Sequence, residues 1–316
     1  MEKKSLVILT GPTAVGKTAL SLALAKQIGG EIISADSMQI YKYMDIGSAK
    51  ISREEMAGVP HHLIDVLDPR EPFNVVTFQQ MARTAIEGIY SRSHIPILVG
   101  GTGFYIQAVV RDIDFTESED DPAFRTACDS LALRDGPEAL HDKLRAVDPV
   151  SAQAIHPHNT KRVIRALEYY HLTGQPISVH NQEQQRKESP YAFAYFVLND
   201  ERERLYRQID RRVDSMLAQG LLDEVRRLAA MGCERRLVSM QGLGYKELLD
   251  YLDGTISYEE AVYRIKRDTR HFAKRQITWF KREKDVIWVD KTDFEYDDRQ
   301  MLAFMVQTLT ERGICA

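Results

Sequence analysis

The sequence predicts an α/β protein, a parallel sheet flanked by helices, interrupted by a helical insertion. Short apolar runs alternate with segments that are apolar at helical spacing, the pattern of a sheet whose strands are buried on both faces. A glycine-rich turn joins the first such run to the first such segment. Between residues 115 and 190 the alternation stops and only helical patterns remain. At 316 residues and 44% hydrophobic content the chain is too long for one ordinary core, so two domains are expected: 1–114 with 191–316, and the insertion 115–190.

Taken in order, Leu6-Val7-Ile8-Leu9 is a strand buried on both faces, followed by a helix over 18–28. A second strand, 31–35, ends at Asp36. After a long irregular stretch, a helix over 75–90 feeds a third buried strand at 96–99, closed by Gly100-Gly101-Thr102-Gly103. In the insertion, a helix over 159–172 stops at Thr173-Gly174 with Pro176 beyond, a normal terminus. Strand character resumes at 191–198. Helices over 201–230 break near Gly220, one long helix covers 258–281, and Val286-Ile287-Trp288-Val289 is the last strand. A terminal helix over 299–310 is expected to pack on the sheet.

Composition narrows the function. No apolar run approaches the length of a membrane span, and Met1-Glu2-Lys3-Lys4-Ser5 leads into the first strand without a cleavage pattern, so the protein is expected in the cytosol, away from membranes. Cys128, Cys233 and Cys315 are widely spaced and without a C-x-x-C pair, which fits reduced thiols better than a disulfide framework or a zinc site. The net charge of −4 is unevenly spread. Residues 264–284 hold nine basic side chains against Asp268 and Glu283, whereas 112–121 is acidic. One face is expected to meet an anion.

Gly11-Pro12-Thr13-Ala14-Val15-Gly16-Lys17-Thr18 matches G-x-x-x-x-G-K-[ST] and stands after a buried strand and at the start of a helix, where that motif works. Its glycines let backbone N–H groups converge on phosphate oxygens, the helix N-terminus adds positive partial charge, Lys17 adds a full one, and Thr18 is the expected magnesium ligand. This P-loop calls for a bound di- or triphosphate, which makes an ATP-dependent small-molecule or nucleotide kinase the default reading. Asp36 at a strand end is compatible with a magnesium-holding or turn-capping role as well as a catalytic one.

A rarer string, Asp36-Ser37-Met38-Gln39-Ile40-Tyr41, follows the second strand. In order along the chain come His61-His62-Leu63, Val99-Gly100-Gly101-Thr102-Gly103-Phe104-Tyr105, Arg162-Val163-Ile164-Arg165-Ala166-Leu167-Glu168, Arg212-Val213-Asp214-Ser215-Met216, Gly242-Leu243-Gly244-Tyr245-Lys246-Glu247 and Lys274-Arg275-Gln276-Ile277-Thr278-Trp279-Phe280. Together with the P-loop these resemble the bacterial tRNA dimethylallyltransferase family over residues 6–284. Gly47-Ser48-Ala49-Lys50 departs from the expected Gly-Thr-Ala-Lys by one methyl, and the zinc finger of eukaryotic relatives has no counterpart.

The resemblance implies that the cradle holds dimethylallyl diphosphate with Mg2+ and that the acceptor is N6 of the adenosine immediately 3′ of the anticodon in a tRNA anticodon stem-loop. Lys17, Thr18, the amides of residues 13–18 and Arg212 are then expected to stabilise the leaving diphosphate, although Arg204, Arg207 and Arg211 compete with Arg212 for that position. Asp36 is the expected acceptor of the amine proton. The target base must leave its stack to react, with Asp36, Ser37, Met38, Gln39 and Thr102 around it. Gly244, Tyr245, Lys274, Arg275 and Gln276, and Arg125, Lys161, Arg162 and Arg165 of the insertion, are expected on the RNA-binding surface. His271, Phe272, Trp279 and Phe280 offer stacking faces unless they belong to the core. His61 and His62 receive no role. Nothing requires more than a monomer.

Overall fold

The computed structural model describes residues 3–115 and 121–315. The first two residues, and residues 116–120 of the acidic stretch, lie outside them. The chain divides into two compact units, residues 1–110 with 190–316, and 111–189, against the expected break at 115–190.

The larger unit is built on six parallel strands, side by side in the order β3 (His61–His62), β2 (Gly30–Ala35), β4 (Ile95–Gly100), β1 (Lys4–Thr10), β5 (Tyr191–Asn199) and β6 (Val286–Asp290). β1 (Lys4–Thr10) runs through the P-loop into α1 (Lys17–Ile28), and β2 (Gly30–Ala35) follows directly. β3 is the pair His61–His62, docked on Ile32 and Ile33 inside the stretch expected to be irregular. Two residues are too few to leave a periodic signal. α2 (Val75–Ser91) starts at Asn74, whose side chain accepts from the Val76 and Thr77 amides, and leads to β4 (Ile95–Gly100). The glycine run expected only to close that strand also opens α3 (Gly103–Val110).

After the insertion come β5 (Tyr191–Asn199), α9 (Arg202–Ala218), α10 (Leu221–Ala230), α11 (Tyr245–Leu252), α12 (Tyr258–Phe280), β6 (Val286–Asp290) and α13 (Asp298–Glu311). The break expected near Gly220 is the N-cap of α10, with φ at 100°. Helix α13 packs on α1 and β5.

Strand alternation sorts the side chains into two cores. Leu6, Ile8, Ile33, Leu98 and Val197 face α2, α3, α10 and α11, whereas Val7, Leu9, Ile32, Ile97 and Phe196 face α1 and α13. Helices α9 and α12 contribute to both, through Val213 and Phe280 to the first and Ile209 and Ala273 to the second. Cys233 lies in the first core and all three thiols are free, with burial raising the Cys233 thiol.

The regular elements among the described residues of the insertion are all helices: α4 (Pro122–Asp135), α5 (Pro137–Val147), α6 (Pro149–Ala154), α7 (Thr160–Thr173) and α8 (Ile177–Arg186). Three of these helices open with proline at the first turn, where a missing N–H removes nothing. Leu140, Leu144, Val163, Ile164 and Leu167 form its own core.

Candidate active site

The carboxyl ends of β1, β2 and β4 open into a cavity of about 910 Å³, the usual ligand position in a parallel α/β sheet. Its wall carries Thr13, Gly16, Lys17 and Thr18 from the cradle, Asp36, Ser37, Met38 and Gln39 beyond β2, and Thr102 beyond β4. Gln208, Arg211 and Arg212 of α9, Gly244 and Lys246 around the start of α11, and Phe272, Arg275 and Gln276 of α12 complete it. Residues from distant parts of the sequence are thus gathered at one rim.

The cradle is shaped by its backbone. Gly16 caps α1 with φ at 99°, a left-handed conformation that a side chain would strain. The first turn of α1 carries no acidic residue, so nothing local offsets the positive helix end. Lys17 Nζ donates to the carbonyls of Gly11 and Pro12 at 3.0 and 2.8 Å. Protein atoms crowd this ammonium: desolvation, with the Arg212 charge acting the same way and Asp36 opposing, brings Lys17 down to about 7.

One of the cradle amides is already engaged. The Thr13 N–H donates to Gln276 Oε1 at 2.9 Å, while Gln276 Nε2 donates to the Gly101 carbonyl at 2.9 Å. Gln276 is buried and ties the P-loop to the end of β4, so both ends of its amide serve the protein. Val15 points into the core and offers only its backbone.

Asp36 Oδ1 accepts from the Met38 N–H at 2.8 Å, so the turn-capping role is present and orients the carboxylate at the cavity wall. Arg212 is the arginine electrostatically coupled to both Lys17 and Asp36; desolvation lowers it and Asp36 raises it. Arg211 also reaches the wall. Arg204 instead stacks on the Tyr296 ring at 3.8 Å from its centroid, and Arg207 lies 3.9 Å from Glu203.

Several expected contacts are placed elsewhere. Tyr245 is buried in the core, its hydroxyl donating to Glu224 at 2.8 Å, so it braces the wall from behind. Phe280 is fully buried and Trp279 packs edge-on to Phe104 at 6.2 Å, which leaves Phe272 as the α12 aromatic facing the cavity. The basic strip is narrower than its residue count implies: Arg264 pairs with Glu260, Lys266 with Asp214, Arg267 with Asp268 and Arg270 with Asp210. Two of those acids sit on α9, outside any local charge window. Lys274 and Arg275 remain exposed. In the insertion, Arg125 and Arg165 pair with the buried Glu168 at 2.7 and 3.1 Å, and Lys161 and Arg162 are exposed.

Glu224 was not legible as a site residue. It is fully buried, and it accepts from the amides of Asp45, Ile46 and Gly47 as well as from Tyr245. Glutamate inside an amphipathic helix ordinarily reads as solvated surface, and only the fold brings the 45–47 backbone to it. Among the described residues no cluster of three or more His, Cys, Asp or Glu is placed to hold a metal. Thr18 and Asp36 are hard oxygen donors on one cavity, which fits magnesium, an ion that takes one or two protein ligands and completes its shell with substrate oxygens and water.

Comparison with known proteins bears on the family and the fold. The family model described as IPP transferase matches residues 39–283, and one described as Isopentenyl transferase matches 4–68. The chain is 62% identical over 309 residues to a tRNA dimethylallyltransferase of Lachnoclostridium phytofermentans, with 98% of each covered. It is 53% identical to one of Geobacillus thermodenitrificans, with 92% of each covered. Among solved structures it resembles the full-length tRNA isopentenylpyrophosphate transferase of Bacillus halodurans, at TM-score 0.74 and 45% identity, covering 99% of this chain and 98% of that one. A eukaryotic dimethylallyltransferase acting on tRNA aligns at TM-score 0.77 and 32% identity, covering 92% of this chain and 75% of that one. With a family model spanning most of its length and close relatives covered end to end, this chain belongs to the IPP transferase family and has its P-loop fold.

Proposed function

We propose that this protein transfers a dimethylallyl group from dimethylallyl diphosphate to N6 of the adenosine immediately 3′ of the anticodon in tRNA, giving N6-isopentenyladenosine. The observation that carries this reading is the meeting of Lys17, Arg212 and Asp36 at one cavity, two cations beside a phosphate cradle and one carboxylate beside them. Cleaving the allylic C–O bond leaves its electron pair on the diphosphate. Lys17, Arg212, the remaining cradle amides and the α1 N-terminus stabilise that charge as it forms. The N6 lone pair forms the new C–N bond, and Asp36 Oδ accepts the proton that N6 loses. Thr18 would hold magnesium, which supplies further positive charge to the diphosphate when bound.

Ser37, Met38, Gln39 and Thr102 surround the extruded base, and Arg275, beside the Phe272 ring at 5.8 Å, provides a cation and a stacking face for the single-stranded loop. Lys274, Gly244 and the insertion residues Arg125, Lys161, Arg162 and Arg165 are assigned to the tRNA surface. The chemistry as assigned calls on no second copy of the chain, and a monomer is proposed. No helix among the described residues is long and apolar enough to cross a membrane, and the reading assigns the enzyme to the cytosol with its tRNA. The relatives support this reading and not the kinase alternative.

The test is to incubate the protein with radiolabelled dimethylallyl diphosphate, magnesium and unmodified tRNA. Label recovered in the anticodon loop is the expected result. ATP consumption with a small acceptor and no labelled tRNA would overturn it.

A further inference from the structure

Glu224 of α10 binds four donors with two oxygens. Oε2 accepts from the amides of Asp45 at 2.9 Å and Ile46 at 2.8 Å, and Oε1 accepts from the Gly47 amide at 3.0 Å and the Tyr245 hydroxyl at 2.8 Å. The side chain is fully buried, and among the described residues no lysine, arginine or histidine lies within ion-pair distance of it. A buried carboxylate is stable only when its acceptor sites are filled, so the 45–47 backbone and the carboxylate each hold the other in place. Burial and the neighbouring carboxylate push the Tyr245 phenol well up, which keeps it a donor in this arrangement.

The gathered backbone leads straight to the cavity. Gly47, Ser48 and Ala49 line its wall, and the carbonyls of Ser48 and Ala49 accept from Gln39 Nε2 at 3.4 and 3.5 Å. Gln39 Oε1 accepts from Ser34 at 2.9 Å, so the amide is oriented from both ends, three residues after Asp36. The far end of the loop is pinned by Lys50, which pairs with Asp45 and Asp65 at 2.6 and 2.5 Å and donates to the Tyr41 carbonyl at 2.8 Å. Position 47 admits no side chain, because a Cβ there would stand 2.5 Å from the Tyr245 ring. The phosphate cradle is tied down by a separate device, the Gln276 bridge.

We infer that Glu224 is a positioning residue that fixes the acceptor side of the cavity, setting the 45–49 wall and through it Gln39, without touching the diphosphate side. This deepens the transferase reading and rests on it. A glutamine at 224 keeps the shape but turns an NH2 group toward backbone N–H donors that it cannot satisfy.

The experiment compares Glu224→Gln, Glu224→Asp and Gly47→Ala with the wild type. Three readouts are taken: KM for tRNA and for dimethylallyl diphosphate, equilibrium binding of inorganic diphosphate, and hydrogen exchange of the 44–50 amides. Glu224→Gln should raise the tRNA KM by about tenfold, leave both diphosphate measurements within about twofold, and speed exchange at 45–47. Gly47→Ala, which keeps the carboxylate and displaces the loop sterically, should show the same split, and Glu224→Asp a milder one. Equal movement of both KM values, losses that follow only the folded fraction, or unchanged loop exchange would overturn the inference. Should Glu224→Gln fail to fold, Glu224→Asp, which keeps the carboxylate, decides. If the wild type transfers no prenyl group, the functional reading fails, while loop exchange and direct tRNA binding by the same variants still decide the role of Glu224.

Discussion

Strand β2 has a carboxylate near each end, and the two are surrounded in opposite ways. Glu31, at the amino end, is 1% exposed and takes Arg92 through Nε and Nη2 at 2.8 and 2.7 Å, His94 at 2.6 Å and His62 at 2.7 Å. The Arg92 hydrogen bonds, acting against burial and helped by the two histidines, hold it down at about 2. Asp36, one residue beyond the carboxyl end, accepts one backbone N–H and has no direct ion pair among the described residues, although the charges of Lys17 and Arg212 reach it. A carboxylate whose acceptor sites are filled contributes stability; one that keeps acceptor capacity beside cations can take a proton from a substrate. The pair separates the end of the sheet that holds the fold from the end assigned to chemistry.

The largest expected effect breaks the comparison at its reactive end. Asp36→Asn keeps the oxygen that accepts from Met38, so the turn and tRNA binding should persist while turnover falls about 10³-fold. Single-turnover kinetics beside tRNA binding measure this, and unchanged turnover removes the proton-acceptor role.

Next is the neighbouring cation. Because Lys17 is lowered to about 7, it must gain a proton to bind an anion above that pH. Affinity for inorganic diphosphate should therefore fall about tenfold between pH 7 and 8.5 relative to Lys17→Met, whose slope reports the titration of the ligand alone. Parallel slopes in the two proteins would mean that Lys17 is already charged throughout this range.

At the other end, Glu31→Gln should lower stability by about 2 kcal/mol and leave turnover of the folded enzyme unchanged. The folded Glu31 titrates below its ordinary 4.5, so its contribution is complete above about 4.5 and is lost as pH falls from there toward about 2. Denaturant titrations from pH 7 down to 3 should show a steeper acid loss in the wild type than in the variant. The smallest effect sharpens the outer rim: Arg275→Ala should reduce the salt slope of tRNA binding by about one, and an unaltered slope argues against a phosphate contact.

Much of this was legible in the sequence. The β1, β4 and β5 runs announce themselves because a strand buried on both faces must be continuously apolar, and the P-loop because its backbone geometry demands glycine. What the sequence does not show depends on long-range contact. β3 has two residues, Glu31 and Glu224 look like ordinary glutamates until the fold brings His62, Arg92 and the 45–47 backbone to them, and Gln276 reads as one polar residue in a basic helix until the P-loop meets it. The charge balance of the basic helix is likewise set by contacts that lie outside its own sequence. Asp210 and Asp214 neutralise part of it from α9, some fifty residues away in sequence.

The most direct measurement is calorimetry of the magnesium-loaded protein with a non-reacting thio analogue of dimethylallyl diphosphate and, separately, with ATP. The cradle described here should bind the allylic compound at micromolar concentration and prefer it over ATP by at least about tenfold, a preference that Lys17→Met abolishes. Selective, Lys17-dependent binding of ATP with no response to the allylic analogue would contradict the account.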